Sequence, residues 1–146
     1  MAAAGLVALG WAAWQELWAY GGDTPASWID LTSQTLGQPA DAGLRVFGRR
    51  EPLVHALTAA GGPATVPPID FGQRRAVLVA TGPRSSTAYR LVLVRVLEER
   101  RRIVVRVREQ SPSLAEPGVA TLTFPFRLIT IEQRGKPLKL EWEDRP

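Results

Sequence analysis

The stretch from Arg74 to Gln110, RRAVLVATGPRSSTAYRLVLVRVLEERRRIVVRVREQ, decides the fold class. Arg75 to Thr81 is a nearly continuous apolar run, the pattern of a strand covered on both faces. Beyond a polar loop, Tyr89, Leu91 and Leu93 fall on one side of a second strand, and Arg90, Val92, Val94 and Val96 on the other. The third segment alternates sharply, with Ile103, Val105 and Val107 pointing one way and Arg102, Arg106 and Arg108 the other. The intervening EERR joins these two strands as a hairpin, with Glu99 and Arg100 near its turn.

The pattern extends outward in both directions. Downstream, GVATLTFPFRLITIEQ supplies one or two strands, and Pro125 marks an edge, a bulge or a strand switch within it. Leu138, Leu140 and Trp142 alternate in a last strand. Upstream, Leu44 to Phe47 is a short strand, and Arg50-Glu51-Pro52 opens a helix with proline in the first turn, where its missing N–H costs little. Leu53, Val54, Leu57 and Ala60 share a face of that helix, and Gly61-Gly62 ends it. Residues 20–43 are rich in Gly, Pro, Asp, Ser and Thr, and read as an extended linker anchored by Trp28 and Ile29. The expected architecture is mainly β: an antiparallel β-sandwich or strongly curved sheet of five or six strands, with one helix on its N-terminal side. It occupies residues 44–146, after an N-terminal region of residues 1–43.

That N-terminal region opens on an apolar run from Ala2 to Gly10 with no Lys or Arg before it, too short to span a membrane. It reads as a truncated export segment, an ordinary amphipathic helix or a remnant of a longer anchor. Trp11, Trp14 and Trp18 form a face able to dock on the domain, a partner or a membrane interface. The export reading places the protein outside the cytoplasm or at the envelope. An ordinary helix over residues 1–20 leaves it cytoplasmic.

Residue content narrows the chemistry. With no cysteine, thiolate metal sites and cysteine nucleophiles are excluded. The single histidine, His55, sits in the helix with nothing to place a serine and an acid beside it, so no catalytic triad is expected. Asp70, after two prolines at a strand entrance, reads as a turn or cap residue. Neither a dinucleotide fingerprint nor a P-loop is present. The expectation is a non-enzymatic domain without cofactor or metal.

Charge is unevenly spread: residues 1–70 hold 3 basic against 6 acidic side chains, and residues 71–146 hold 15 against 8. Arg102, Arg106 and Arg108 line one strand face, with Arg90 on the neighbouring strand. Such a face suits a polyanion, or simply solvated stems and salt bridges to Glu98 or Glu109. Single-stranded nucleic acid would also need exposed aromatics between the arginines, and Val92, Val94 and Val104 stand there instead, so nucleic acid is disfavoured.

The order of elements from residue 69 to 131 resembles the PrcB C-terminal-like family. It is carried by Asp70-Phe71 before the buried strand, Gly82 to Tyr89, Val107 to Pro112, and Thr123 to Phe126. The resemblance extends upstream to a strand and helix from about Val46 to Ala60. It implies a non-enzymatic, usually extracytoplasmic β-rich domain that stabilises or assembles a protease. The sequence departs from the family's Thr-Gly-Gly-Tyr loop, which here is Ser86-Thr87-Ala88-Tyr89, removing easy access to positive φ. The expected partner is another protein, a protease included. The contact residues expected are Arg84, Ser85, Ser86, Thr87 and Tyr89, with SPSLAEPG at 111–118 as a second contact loop. A protease inhibitor acting through loop 82–89 and a basic-face binder of polyanions are the alternatives.

Overall fold

A computed structural model describes residues 24–145. The N-terminal helix or export segment, with Trp11, Trp14 and Trp18, lies outside the described residues. Ten strands form two four-stranded sheets and a two-stranded ribbon. In chain order they are β1 (Thr24–Pro25), β2 (Trp28–Asp30), β3 (Gly43–Phe47), β4 (Arg74–Ala80), β5 (Arg84–Ser86), β6 (Arg90–Glu98), β7 (Ile103–Gln110), β8 (Ala120–Thr123), β9 (Phe126–Glu132) and β10 (Leu138–Trp142). Helix α1 spans Arg50–Leu57. The first sheet has the order β1-β6-β7-β10, the second β2-β9-β4-β3, and β5 pairs with β8 in the ribbon. The mainly β architecture with one α-helix among the described residues is what the sequence pattern predicts, with ten strands in place of the five or six expected.

The apolar run of β4 is buried on both faces, and the reason is the placement of two separate cores. Val77 and Val79 face the first sheet, joining Leu91, Val96, Ile103, Val105, Val107, Ile129 and Ile131 between the sheets. Ala76 and Leu78 face the opposite way and pack with Leu53, Ala56 and Leu57 of α1, together with Phe47 and Leu128. A strand with a core on each side has no position left for a polar residue, hence its unbroken apolar pattern. The helix buries Leu53, Ala56 and Leu57, but Ala60 lies beyond its end and is exposed. Gly61, with φ of 97°, closes the turn that follows, its N–H donating to the Thr58 carbonyl at 2.9 Å.

Three expectations are corrected. Residues 24–43 are not a linker: β1 pairs with β6, β2 pairs with β9, and Leu36 bridges to Thr65. These pairings are one to three residues long, too short to impose an alternating pattern. The sheets are also not wholly antiparallel, because β10 runs parallel to β7 over Leu138–Trp142 and Ile103–Val107. Parallel neighbours need a long crossover, and the chain from 111 to 137 supplies one through the ribbon and the second sheet. Lys136 anchors the return, its Nζ donating to the Glu99 carbonyl at 2.9 Å and pairing with Glu98 at the same distance. Finally, β6 carries a bulge between Leu93 and Arg95. One extra residue reverses the alternation beyond it, so Val96 shares the core with Leu91 rather than facing away from it.

The β6–β7 turn is held by its own ion pair. The Glu99 N–H donates to the Arg102 carbonyl at 2.8 Å, and Arg102 Nε donates to both Glu99 carboxylate oxygens at 3.1 and 3.2 Å. The hydrogen bond from Arg102 holds the Glu99 carboxyl below the usual carboxylate range, with the guanidinium charge adding to the effect. A depressed carboxylate stabilises the folded state above its unfolded pKa, and that contribution fades as pH falls through the folded value. Arg102→Gln is expected to raise the Glu99 midpoint in a carboxyl-carbon NMR titration. An unmoved midpoint contradicts the assignment.

Candidate protein-contact ribbon

The ribbon exists because two strands leave the second sheet at the same end. β4 continues into β5 and β8 precedes β9, with Pro125 separating the latter two. This is the strand-switch reading of that proline. The Thr81 N–H donates to the Pro125 carbonyl at 3.1 Å and ties the two exits together. Above this base, β5 and β8 pair at Arg84–Thr123 and Ser86–Ala120, with an irregular register between.

Side chains then fuse the two flanking loops. Ser86 Oγ donates to the Pro117 carbonyl at 2.8 Å and accepts from the Ala88 N–H at 3.1 Å. Thr123 Oγ1 donates to the Ser86 carbonyl at 3.0 Å. The Thr87 N–H donates to the Val119 carbonyl at 3.0 Å, and the Val119 N–H donates back to Thr87 Oγ1 at 2.8 Å. The loops around residues 82–89 and 111–118, far apart in sequence, are therefore one body.

The missing glycines of the Ser86-Thr87-Ala88-Tyr89 loop carry no backbone strain, since every non-glycine among the described residues has negative φ. Bare backbone is supplied instead from the opposite loop. Gly118 has φ of 70°, and a Cβ there would stand 2.6 Å from both the Ala88 nitrogen and Ser86 Oγ. Only glycine fits that seam.

The ribbon base is secured by charge. Arg84 Nε donates to Glu109 Oε2 at 2.8 Å and its Nη2 to Oε1 at 3.1 Å, a two-point grip from β5 onto β7. Arg145 donates to the same Oε1 at 2.9 Å. The Arg84 guanidinium lies 5.9 Å from the centre of the Tyr89 ring, and that of Arg145 lies 3.9 Å from the Trp142 ring. The Glu109 side chain keeps only 14% of its exposure, so this carboxylate is shared in a largely enclosed setting.

Each residue expected at the contact now has a place. Arg84 is committed to Glu109, Ser86 is buried, and Tyr89 is half-buried at the loop base. Ser85 and Thr87 are exposed. The accessible apolar groups are others: Leu114 is fully exposed, and Val119 and Leu122 retain about two-thirds of their surface. For Leu114 and Val119 the sequence signal is an aliphatic residue inside a Pro/Ser/Gly loop, where no periodic core partner exists, whereas Leu122 lies within β8.

The arginines divide likewise. Arg90 and Arg108 are exposed on the first sheet's outer face, whereas Arg106 pairs with Glu141 at 3.1 Å and Arg102 closes the turn. Arg95 joins them: the bulge brings it opposite Arg106 and into solvent. Strict alternation would have aimed it inward, and a charge at an inward position is itself the sign of a broken period. His55 is exposed, and Asp70 serves a turn, its Oδ1 accepting from the Gly72 N–H at 3.0 Å. Among the described residues no three His, Asp or Glu side chains group as a metal site.

Residues 75–132 match the family model described as PrcB C-terminal. This segment is similar to the PrcB C-terminal family. The match runs from β4 to the end of β9, so the whole ribbon lies inside the PrcB C-terminal-like segment. The strand and helix upstream, β3 and α1, lie outside it. No curated protein and no solved structure matches the chain.

Proposed function

We propose that the protein is a non-enzymatic interaction domain that associates with a protease complex and contacts its partner through the ribbon. The PrcB C-terminal match supports the class of partner. The observation that carries the site is a ribbon joined by side-chain and backbone hydrogen bonds that holds Leu114, Val119 and Leu122 in solvent. Exposed aliphatic groups on a rigid frame gain surface burial on docking without paying for loop ordering. An extracytoplasmic setting belongs to the same reading, on the family resemblance alone.

The test is site-specific photo-crosslinking in the native cell, with a benzoyl-phenylalanine placed at Leu114 or, as a control, at exposed Arg134. The expected result is an adduct with a protease-complex subunit from position 114 only. Leu122→Asp should abolish that adduct while leaving the thermal midpoint unchanged, because an exposed leucine contributes little to folding. Equal adducts from both positions, or none from either, reject the ribbon as the contact.

A further inference from the structure

We infer that the outer face of the first sheet is a second docking surface, fitted to an extended acidic segment of a partner polypeptide. Leu91, Val96, Ile103, Val105 and Val107 point into the core, so Arg90, Arg95, Arg106 and Arg108 stand on the opposite face of β6 and β7. Arg90, Arg95 and Arg108 are exposed and have no ion-pair partner among the described residues.

Elsewhere six arginines are neutralised by ion pairs, and Arg50, Arg74 and Arg75 bond neutral oxygens. Arg45, Arg84, Arg102, Arg127, Arg134 and Arg145 all face carboxylates. Here the register does the reverse. Arg95 lies directly across from Arg106, and like charges in that position destabilise a sheet. Glu141 relieves only Arg106. The bulge that carries Val96 into the core also turns Arg95 towards Arg106, and so completes a stripe of guanidinium groups across two strands.

The chemistry selects the occupant. Guanidinium forks match carboxylates in two-point geometry. Residues sharing one face of a strand recur about every 6.8 Å, which is also the spacing of alternate side chains in an extended peptide. A segment with an acidic residue at every second position therefore meets the stripe in register. Val104, paired with Leu97, is buried on this face, so half-buried Val92 and Leu97 are the apolar residues beside the arginines that can meet the intervening aliphatic side chains. Neither is aromatic, so base stacking and interfacial lipid insertion both lack their usual anchors.

The inference stands apart from the ribbon and is tested apart from it. The full chain is titrated into a fluorescein-labelled peptide of alternating glutamate and valine, with binding read by anisotropy at low and high salt. Parallel titrations use the lysine–valine counterpart, oligothymidine and phosphatidylglycerol vesicles. Binding of the acidic peptide should weaken with salt and fall at least about tenfold in R90E/R95E/R108E, as loss of charge complementarity requires. It should be unchanged in Leu114→Asp. Circular dichroism checks folding of the triple variant, and R90Q/R95Q/R108Q, which adds no new charge, should give a smaller loss. Undiminished binding in both triple variants overturns the proposal. So does tighter binding of the oligonucleotide or the vesicles with the same arginine dependence.

Discussion

Gly118→Ala is expected to release the ribbon from its seam. The new Cβ meets the Ala88 nitrogen and Ser86 Oγ at 2.6 Å and the Ala88 Cβ at 2.7 Å, and the first of these is backbone that cannot swing aside. The positive φ of 70° adds conformational strain for any residue with a Cβ. Together these are expected to cost about 2–4 kcal/mol of ribbon stability. The direct measurement is amide exchange at Thr87 and Val119, whose N–H groups bond across the seam. Their protection should collapse while that of β4 and β9 persists, because a ribbon at the end of a sheet can open without global unfolding. Gly135→Ala is the control. It has φ of 68° but nothing within 4 Å of the new Cβ, so it isolates the backbone effect at about 1 kcal/mol. Equal exchange in the two variants would show that the close approach at Gly118 does not matter.

The second large effect is expected at Leu53. Helix α1 has only eight residues, below the length at which helices persist alone in water, so its place depends on what it buries. Leu53 and Leu57 are both fully enclosed against the second sheet. Leu53→Ala should lower unfolding free energy by about 2–5 kcal/mol, read as a shifted urea midpoint at constant slope. His55→Ala, two residues along on the exposed side, should stay within about 0.5 kcal/mol. A similar shift for both would mean that the helix does not pack as described.

Much of this was legible in the chain itself because burial leaves a period. The continuous apolar run of β4 announced cover on both sides, and the Ile103–Val105–Val107 alternation announced a core-facing set. What escaped was set by features without a period. The bulge in β6 shifts the pattern by a single residue, and the shift hid Arg95 from the basic face. β10 reads as an alternating strand whichever way its neighbour runs, so its parallel pairing was invisible. β1 and β2 are held by backbone pairing across large sequence separations, which composition cannot reveal. At the site the same limit applies. Arg84 looked available as a contact because its partner Glu109 lies 25 residues away, and only the folded chain brings them together.

The route by which the ribbon joins the body has a mechanical meaning. Its strands are continuations of β4 and β9, the two inner members of the second sheet, paired along seven residues from Arg74–Glu132 to Ala80–Phe126. Both depart from the same end, so a partner tugging on the ribbon draws these strands in one direction together rather than peeling them apart. The load passes to the two cores that flank them, the most enclosed material in the molecule. A handle rooted at the centre of a sheet, instead of at its margin, suits the docking role proposed for it.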